Sequence, residues 1–596
     1  MSGFVGILNP DGAPLDSSLL RRITDSMAYC GPDRQEIWLD GNVGLGHALL
    51  APSPDAAGDD RQPVSLDGRV WIAADARIDA RDELVRRLGI SPAATDAELI
   101  LHSYAAWAER CVDHLIGDFA FALWDGPERR LLCARDQFGV VPLYYARAGG
   151  GIVVGNVLRS LRLHPAVSDA LDDRAIGDTL LFGAIMDPTA TAFADLRALP
   201  PAHVLTYEGG TVGLRRYWEP PEPEPRPGRP EEHVERFSAV FDAAVGDRLR
   251  STRAGAHLTG GMDSTSLATT AHRVLSSRAE EFDLRAYTVV FDELIEDEEE
   301  GRYAEQVAAR LGIRLEQVAG DESVLIAGQS ALEQIARSVA SFTRTLLAGT
   351  GGDPLFATSP ARPSAWRALR SGRLPRLGVR TALRRRLRGG GPEIPPLPDW
   401  IDPSFARRAD LPDRWRGLLS EWDRAEDRLA ILHPLWPAIF AWSHPGAHGL
   451  PIRVVFPFFD LRLLGCVWET PAPLRRDKRL LREAMRGRLP ETVVQRPKAL
   501  LYVPTGRVHD DDPFYLLAQR PESRRLGLDL LSGGAISDYV DVERARELIE
   551  SPVPRRTLPR FENCFLLANW LRSELGPSAL PTPTKEKSDA GDPAAA

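Results

Sequence analysis

Leu258 to Ser266 reads LTGGMDSTS, a run whose residue types belong together chemically. An apolar strand enters, Gly260 and Gly261 permit a tight turn, and Asp263, Ser264 and Thr265 open a helix. Backbone N–H groups at such a helix start form an anion site, and the hydroxyls of Thr259, Ser264 and Thr265 add donors. The GK[ST] ending of a kinase-type phosphate loop is missing. An aspartate inside a phosphate cradle repels its ligand unless a divalent cation lies between them, so magnesium is expected beside Asp263. A Gly-Gly turn before a helix is also what a plain helix cap looks like. Lysine supplies the second signal. Among 73 basic residues the lysines are Lys478, Lys498, Lys585 and Lys587, and the last two lie in a polar tail. Two compact ammonium groups therefore remain in an otherwise arginine-built body, as expected where a point charge serves better than a planar fork.

The elements that must position these groups fall into two parts. A chain of 596 residues with 43% hydrophobic and 26% charged residues predicts a folded protein of two or more domains. The segment Pro220–Glu232 (PPEPEPRPGRPEE) is proline-dense and reads as a stiff linker, so residues 1–218, 219–232 and 233–575 are expected as domain, linker and domain. Residues 576–596 are poor in apolar side chains and read as a disordered tail. Ahead of the linker, short apolar runs broken by turns (GFVGIL, VGLGHALLA, GDFAFALWD, GIVVGN) predict stacked antiparallel sheets, with Thr95–Cys111 as a covering helix. After it, strands at Ala256–Leu258 and Arg285–Phe291 alternate with helices from Asp263 and around Arg302–Leu311, which predicts a parallel α/β sheet.

Composition excludes several classes. A net charge of −10 gives no electrostatic case for a nucleic-acid partner. No run of 18 apolar residues and no basic-then-apolar start are present, so neither a membrane span nor a secretion signal is expected. Cys30, Cys111, Cys133, Cys466 and Cys564 are scattered without a CxxC pair and read as reduced thiols of a cytoplasmic protein. The acidic run Asp292–Glu300 and the ten arginines of Arg362–Arg388 read as solvated insertions, the latter with a possible role in contacting an acidic peptide.

With these motifs in place, a family resemblance is evident. LTGGMDSTS resembles the SGGxDS pyrophosphate loop of ATP pyrophosphatases, and LLAGTGGDPLF (Leu346–Phe356) is similar to the SGxGxDE segment of asparagine synthetases. PFFD (Pro457–Asp460), DKRLLREAM (Asp477–Met485) and RPK (Arg496–Lys498) follow in the family's order. CGPD (Cys30–Asp33), LGHALLA, TDAELIL, GDFAFALWD and PLYY echo a glutamine amidotransferase domain. The resemblance implies an N-terminal αββα sandwich of the Ntn-hydrolase type joined to a C-terminal parallel α/β ATP-pyrophosphatase domain. It implies ATP and Mg2+ as cofactors, with Asp263 and Asp353 on the metal and Lys478 and Lys498 on the phosphates. Thr259, Gly260, Gly261, Ser264, Thr265 and Gly351 would hold phosphate, and backbone around Leu258, Val289, Ala348 and Gly349 would frame the adenosine.

The departures from the pattern are equally specific. No cysteine follows Met1; the chain continues Ser2-Gly3, although an asparagine synthetase of this type uses an N-terminal cysteine on glutamine. Leu49 replaces the family's arginine for the glutamine carboxylate, and DARIDA (Asp75–Ala80) replaces NGEIYN, while Asp96 survives where the substrate amine would lie. The first half is therefore expected to be a degenerate glutaminase, and the amine that captures the acyl adenylate must be something other than ammonia. The relatives sharing this logic are β-lactam synthetases and lasso peptide cyclases. Thr350 stands where the former have a tyrosine and cannot act as a base, whereas TGGMDSTSLA, GTGGDPLF and HPLW (His433–Trp436) look most like the cyclases. The implied reaction adenylates an Asp or Glu side chain of a precursor core peptide, which the peptide's own N-terminal amine attacks. A leader peptidase and a leader-recognition protein are the implied partners. His444 and His448 are weak candidates for the base, and Trp436, Phe440, Trp442 and Phe456 are candidates for an apolar cavity around the peptide.

Overall fold

The structure is a computed structural model that describes residues 2–9, 12–53, 60–222, 224–290, 299–319, 330–357, 397–422, 427–496, 521–532, 534–550 and 561–575. Lys498, the run 292–298, the Arg-rich stretch 362–388 and the tail 576–596 lie outside the described residues.

Two six-stranded antiparallel sheets make up the first half. In one, Gly3–Leu8 lies between Val43–Leu49 and Gly151–Gly155; in the other, Gly117–Asp125 lies between Val70–Ile78 and Arg130–Arg135. Phe4, Leu45 and Ile152 from the first sheet meet Ala73, Ala120 and Ala122 from the second in one buried layer. Helix Ser17–Asp25 covers the outer face of the first sheet through Leu20 and Ile23, and Asp96–Trp107 covers the second through Leu99 and Ile100. Both faces of the central strands are thus buried, which is why they read as continuous apolar runs. Helix Asp96–Trp107 starts at a capping box. Thr95 Oγ1 accepts from the Glu98 backbone at 3.3 Å, and Glu98 Oε2 accepts from Thr95 N at 2.7 Å. It stops four residues before the expected Cys111, because Ala108 turns to φ 49° and a 3-10 turn follows.

The second half opens with helix Pro230–Arg248, so the last three residues assigned to the linker belong to a helix. Pro230 sits in its first turn, where a missing N–H costs nothing. A five-stranded parallel sheet follows in the order Arg314–Ala319, Asp283–Val290, Arg253–His257, Thr345–Leu347, Arg453–Val455. The strand expected at Ala256–Leu258 thus begins three residues earlier and ends at His257. Leu267 and Ala271 of helix Met262–Arg278 pack with Phe241 and Val245 of the preceding helix. A separate core joins the halves: Ile176, Leu180 and Leu181 of the first pack with Trp400, Phe405, Trp415 and Leu567 of the second. All five cysteines are free and buried. Among the described residues no helix is long and apolar enough to cross a membrane.

Candidate active site

Parallel sheets place their ligand loops beyond the strand C-terminal ends, and here three such loops converge. Arg253–His257 runs into Leu258, whose N–H donates to Tyr287 O at 2.8 Å. The turn then needs one left-handed residue: Gly260 has φ 66°, whereas Gly261 is extended at φ −75°, so the special conformation expected at both glycines falls on the first. The hydroxyls close the loop on itself. Thr259 N donates to Ser264 Oγ at 3.1 Å, and Thr265 Oγ1 donates to Gly261 O at 2.8 Å. They brace the turn.

The second loop, 348–353, rests against the first. A Cβ on Gly352 would lie 2.3 Å from Asp263 Cγ, so only glycine allows this approach. Gly351 has φ 97°, and the Phe459 ring of the PFFD segment fills the space beside it. Thr350 lies in this loop, partly buried, and Ala348 N donates to Val455 O at 3.0 Å. Val289 belongs to the neighbouring strand Asp283–Val290.

Lys478 closes the arrangement. Its Nζ lies 2.5 Å from Asp263 Oδ2 and 2.6 Å from Asp353 Oδ1, so one ammonium is shared by two carboxylates. Asp263 and Lys478 are 17% and 15% exposed but Asp353 is 51% exposed, which leaves the site open on that side. Asp477 and Lys478 both adopt left-handed backbone, φ 53° and 54°, a costly conformation for residues with a Cβ and one that accumulates at functional positions. Among the described residues no group of three His, Cys, Asp or Glu side chains forms a cation cage. Two carboxylates already converging on one cation, beside an anion loop, are nevertheless the donor set Mg2+ uses when phosphate oxygens and water complete its shell. The residues present fit that ion.

Arg496 was legible only as part of RPK. Its Nη1 donates to Gly260 O at 3.1 Å while its guanidinium lies 4.3 Å from the Tyr303 ring centre, so it fastens the turn. Asp460 is structural: it caps helix Leu461–Trp468 and binds Arg248 and Arg462, which hold its carboxyl well below the usual range.

The histidines expected near the site are elsewhere. His444 is buried against the first half, its Nδ1 accepting from Gly446 N and its Nε2 lying 3.3 Å from Asp75 Oδ2. Both ring nitrogens of His448 engage its own turn, at Leu450 N and Ser443 O. Of the aromatic set, Phe440 and Phe456 are core residues, Trp436 is partly buried against Phe459, and Trp442 is 52% exposed.

The charged side chains inside the first half are paired with one another and with the second half. Arg77 is 2% exposed and bonds Asp79 through Nε at 2.9 Å and Asp118 through Nη1 at 2.5 Å. Asp96 is bonded by Arg81 and by Arg250 of the second half. Ser2 is 5% exposed; its Oγ accepts from Leu50 N and its carbonyl from Asn156.

Comparison with known proteins agrees with this construction. The family described as Asparagine synthase matches residues 236–571, and Glutamine amidotransferase domain matches residues 1–218. Asparagine synthetase [glutamine-hydrolyzing] 3 of Bacillus subtilis is 25% identical over 525 residues, 81% of this chain and 84% of its own length. A putative asparagine synthetase [glutamine-hydrolyzing] of Mycobacterium tuberculosis is 28% identical over 45% of this chain and 44% of its own. Among solved structures, glutamine phosphoribosylpyrophosphate amidotransferase from B. subtilis is 13% identical over 59% of this chain and 77% of its own, at a TM-score of 0.27, too slight an overlap to argue from. The chain belongs to the asparagine synthase family, and is an ATP-dependent amide ligase built from an amidotransferase half and a synthase half.

Proposed function

We propose that this ligase closes a macrolactam in a ribosomally made precursor peptide, as lasso peptide cyclases do, within the cytoplasm. The observation that carries this reading is the set of ion pairs that occupies the interior of the first half. Asp96, which the resemblance sets against a substrate amine, is held by Arg81 and Arg250, and the Arg77 guanidinium fills the space among Asp79 and Asp118. Leu49 and Ser2 stand where glutamine hydrolysis uses an arginine and a cysteine. A half so arranged supplies no ammonia, and the synthase half then needs an amine already present on its substrate.

In this reading the backbone of 259–265 and the loop 348–353 hold the triphosphate. Bound Mg2+, with Asp263 and Asp353 as its ligands, supplies charge neutralisation on the phosphates. The substrate carboxylate attacks the α-phosphorus, pyrophosphate leaves, and an acyl adenylate forms. The peptide N-terminal amine attacks that carbonyl, loses a proton and expels AMP, so one amide forms and one water is lost overall. Lys478 offers its ammonium to charge developing on the departing phosphates, as does Lys498, where one such donor is worth about 3–4 kcal/mol. His444 and His448 are engaged away from the loops; an amine with a pKa of about 8 gives its proton to phosphate or water. Exposure of that amine requires a leader peptidase, with a leader-recognition protein to present the precursor.

The test is incubation of the full chain and MgATP with leaderless linear peptides that carry a free N-terminal amine and an Asp or Glu side chain downstream. Loss of one water from the peptide with one AMP per ring supports the reading; an unchanged peptide mass with wild-type protein refutes it. A second reading follows from the names of the relatives: amide transfer from glutamine or free ammonia to aspartate. It predicts asparagine formation with glutamine or ammonium and none with a peptide.

A further inference from the structure

The two ends of the parallel sheet face different neighbours. At the C-terminal ends stand the phosphate loops. At the N-terminal ends, the three strands that run into loops 258–265, 348–353 and 456–460 each begin beside an arginine that reaches the first half. Arg250, just ahead of Arg253–His257, bonds Asp96 and donates to Ile78 O at 2.6 Å. Arg344, directly ahead of Thr345–Leu347, bonds both carboxylate oxygens of Asp33 and donates to Ala51 O at 3.2 Å. Arg453, the first residue of its strand, reaches Asp75 Oδ1 at 3.5 Å. Arg344 and Arg453 are themselves tied, Arg453 N donating to Arg344 O at 2.7 Å. These arginines, with Arg77 and Arg248, line one narrow crevice between the halves, beside Leu50, Ala51 and Pro52.

Adhesion alone is a poor reason for such a layout. Desolvating an arginine and a carboxylate costs about as much as their attraction returns, and apolar side chains would join the halves as well. The distribution is also selective. On the outer strands Asp283–Val290 and Arg314–Ala319, Arg285 pairs with Asp283 and Arg314 with Glu316, within the sheet. Among the described residues, the strands leading to the convergent loops are the ones fastened across the boundary by arginines. Arg248 repeats the theme from helix Pro230–Arg248: it lies 3.3 Å from Asp79 and 3.0 Å from Asp460, and donates to Phe459 O, the residue whose ring packs on Gly351.

We propose that Arg344 and Arg453 are positioning residues for the nucleotide site, and that the first half, through Asp33 and Asp75, sets the height of loop 348–353 against loop 259–265. A strand rises about 3.3 Å per residue, so Arg344 acts on Gly349 from roughly 16 Å away. The lever is stiff because the strand between is paired on both sides, at Leu346 with Gly255 and at Thr345 with Arg453. Asp263 and Asp353 sit on the two loops and share one ammonium at 2.5 and 2.6 Å, so a slip of about 1 Å between strands separates them, and displacements of that size cost about 100-fold in well-positioned sites. This role concerns the nucleotide alone and holds whatever carboxylate is activated. It also gives the amidotransferase half a function independent of glutamine.

The test uses the full chain with MgATP as the probe, measured by calorimetry below each variant's melting transition. Arg344→Gln and Asp33→Asn should each weaken MgATP binding about tenfold, and the double variant should weaken it no more than either single. Hydrogen exchange in 348–353 should rise in the same variants while that of Gly3–Leu8 stays unchanged. Arg344→Lys, which keeps the charge and loses the fork, should give a several-fold effect and guards against misfolding of the stronger variants. Arg544→Gln, which breaks the surface pair with Asp399, serves as the control and should change nothing. Unaltered MgATP affinity in folded Arg344→Lys and Arg344→Gln, or additive losses in the double variant, would overturn the proposal.

Discussion

The charged interior of the first half and the loops of the second are built from the same chemistry, carboxylates facing cations, with different exposure. Around Arg77 the charges are buried and paired: Asp79 and Asp118 flank one guanidinium, and Arg248 adds a second. Around Lys478, two carboxylates divide one ammonium and one of them is half-exposed. A charge network buried on every side is architecture; one open to solvent on one side, at the ends of parallel strands and beside a glycine turn, suits a ligand. The difference separates the two halves more sharply than fold does, since either could host a site.

That contrast can be broken at its strongest point first. Arg77→Met removes the shared partner of two buried carboxylates, and the loss should reach about 3–5 kcal/mol of stability in denaturant titrations. A cost below about 1 kcal/mol would mean that the interior is wetter and more open than described. Next, Lys478→Ala and Lys498→Ala should each lower adenylation by about 10²- to 10³-fold in pyrophosphate release, with little change in melting temperature. A large drop in stability instead would place Lys478 among the structural pairs.

A pH measurement sharpens the comparison further. Burial beside Ala74 O pushes His47 down from 6.5 to about 4. The unfolded chain therefore takes up a proton that the folded chain refuses between these values, and stability falls as pH drops from about 6.5 to 4. At about 1.4 kcal/mol per unit the loss is about 3 kcal/mol, and His47→Gln should remove that share of the slope while His257, likewise pushed down to about 4 by burial, keeps its own. An unchanged slope in the variant would assign the acid sensitivity to other groups. The smallest effect belongs to Thr95→Ala, which removes a helix cap of the first half. It should cost about 1 kcal/mol in thermal denaturation and leave turnover untouched.

Much of the synthase site was readable from the sequence because it is local. The turn at Gly260, the helix that follows and the second loop at 346–356 each lie within a dozen residues, and the scarcity of lysine drew attention to Lys478 before its partners were known. The departures at Leu49 and in DARIDA were legible as changed residue types. What fills the interior instead was not, since Arg250 meets Asp96 across 154 positions and Arg344 meets Asp33 across 311. No periodicity or motif carries such pairings. His444 misled for the same reason: its neighbourhood in sequence is the synthase half, but its carboxylate partner is Asp75. Local limits moved where one residue decided them: Ala108 turns to φ 49°, and Pro230 takes the first turn of a helix.

The central claim is that a carboxylate activated with ATP is captured by an amine of the same molecule. The most direct measurement is mass spectrometry of the linear precursor incubated with the full chain and MgATP, with AMP counted in parallel. One water lost per AMP released, with no need for glutamine or ammonium, is the predicted result. AMP formation that depends on glutamine or ammonium, or none at all with the peptide present, would contradict it.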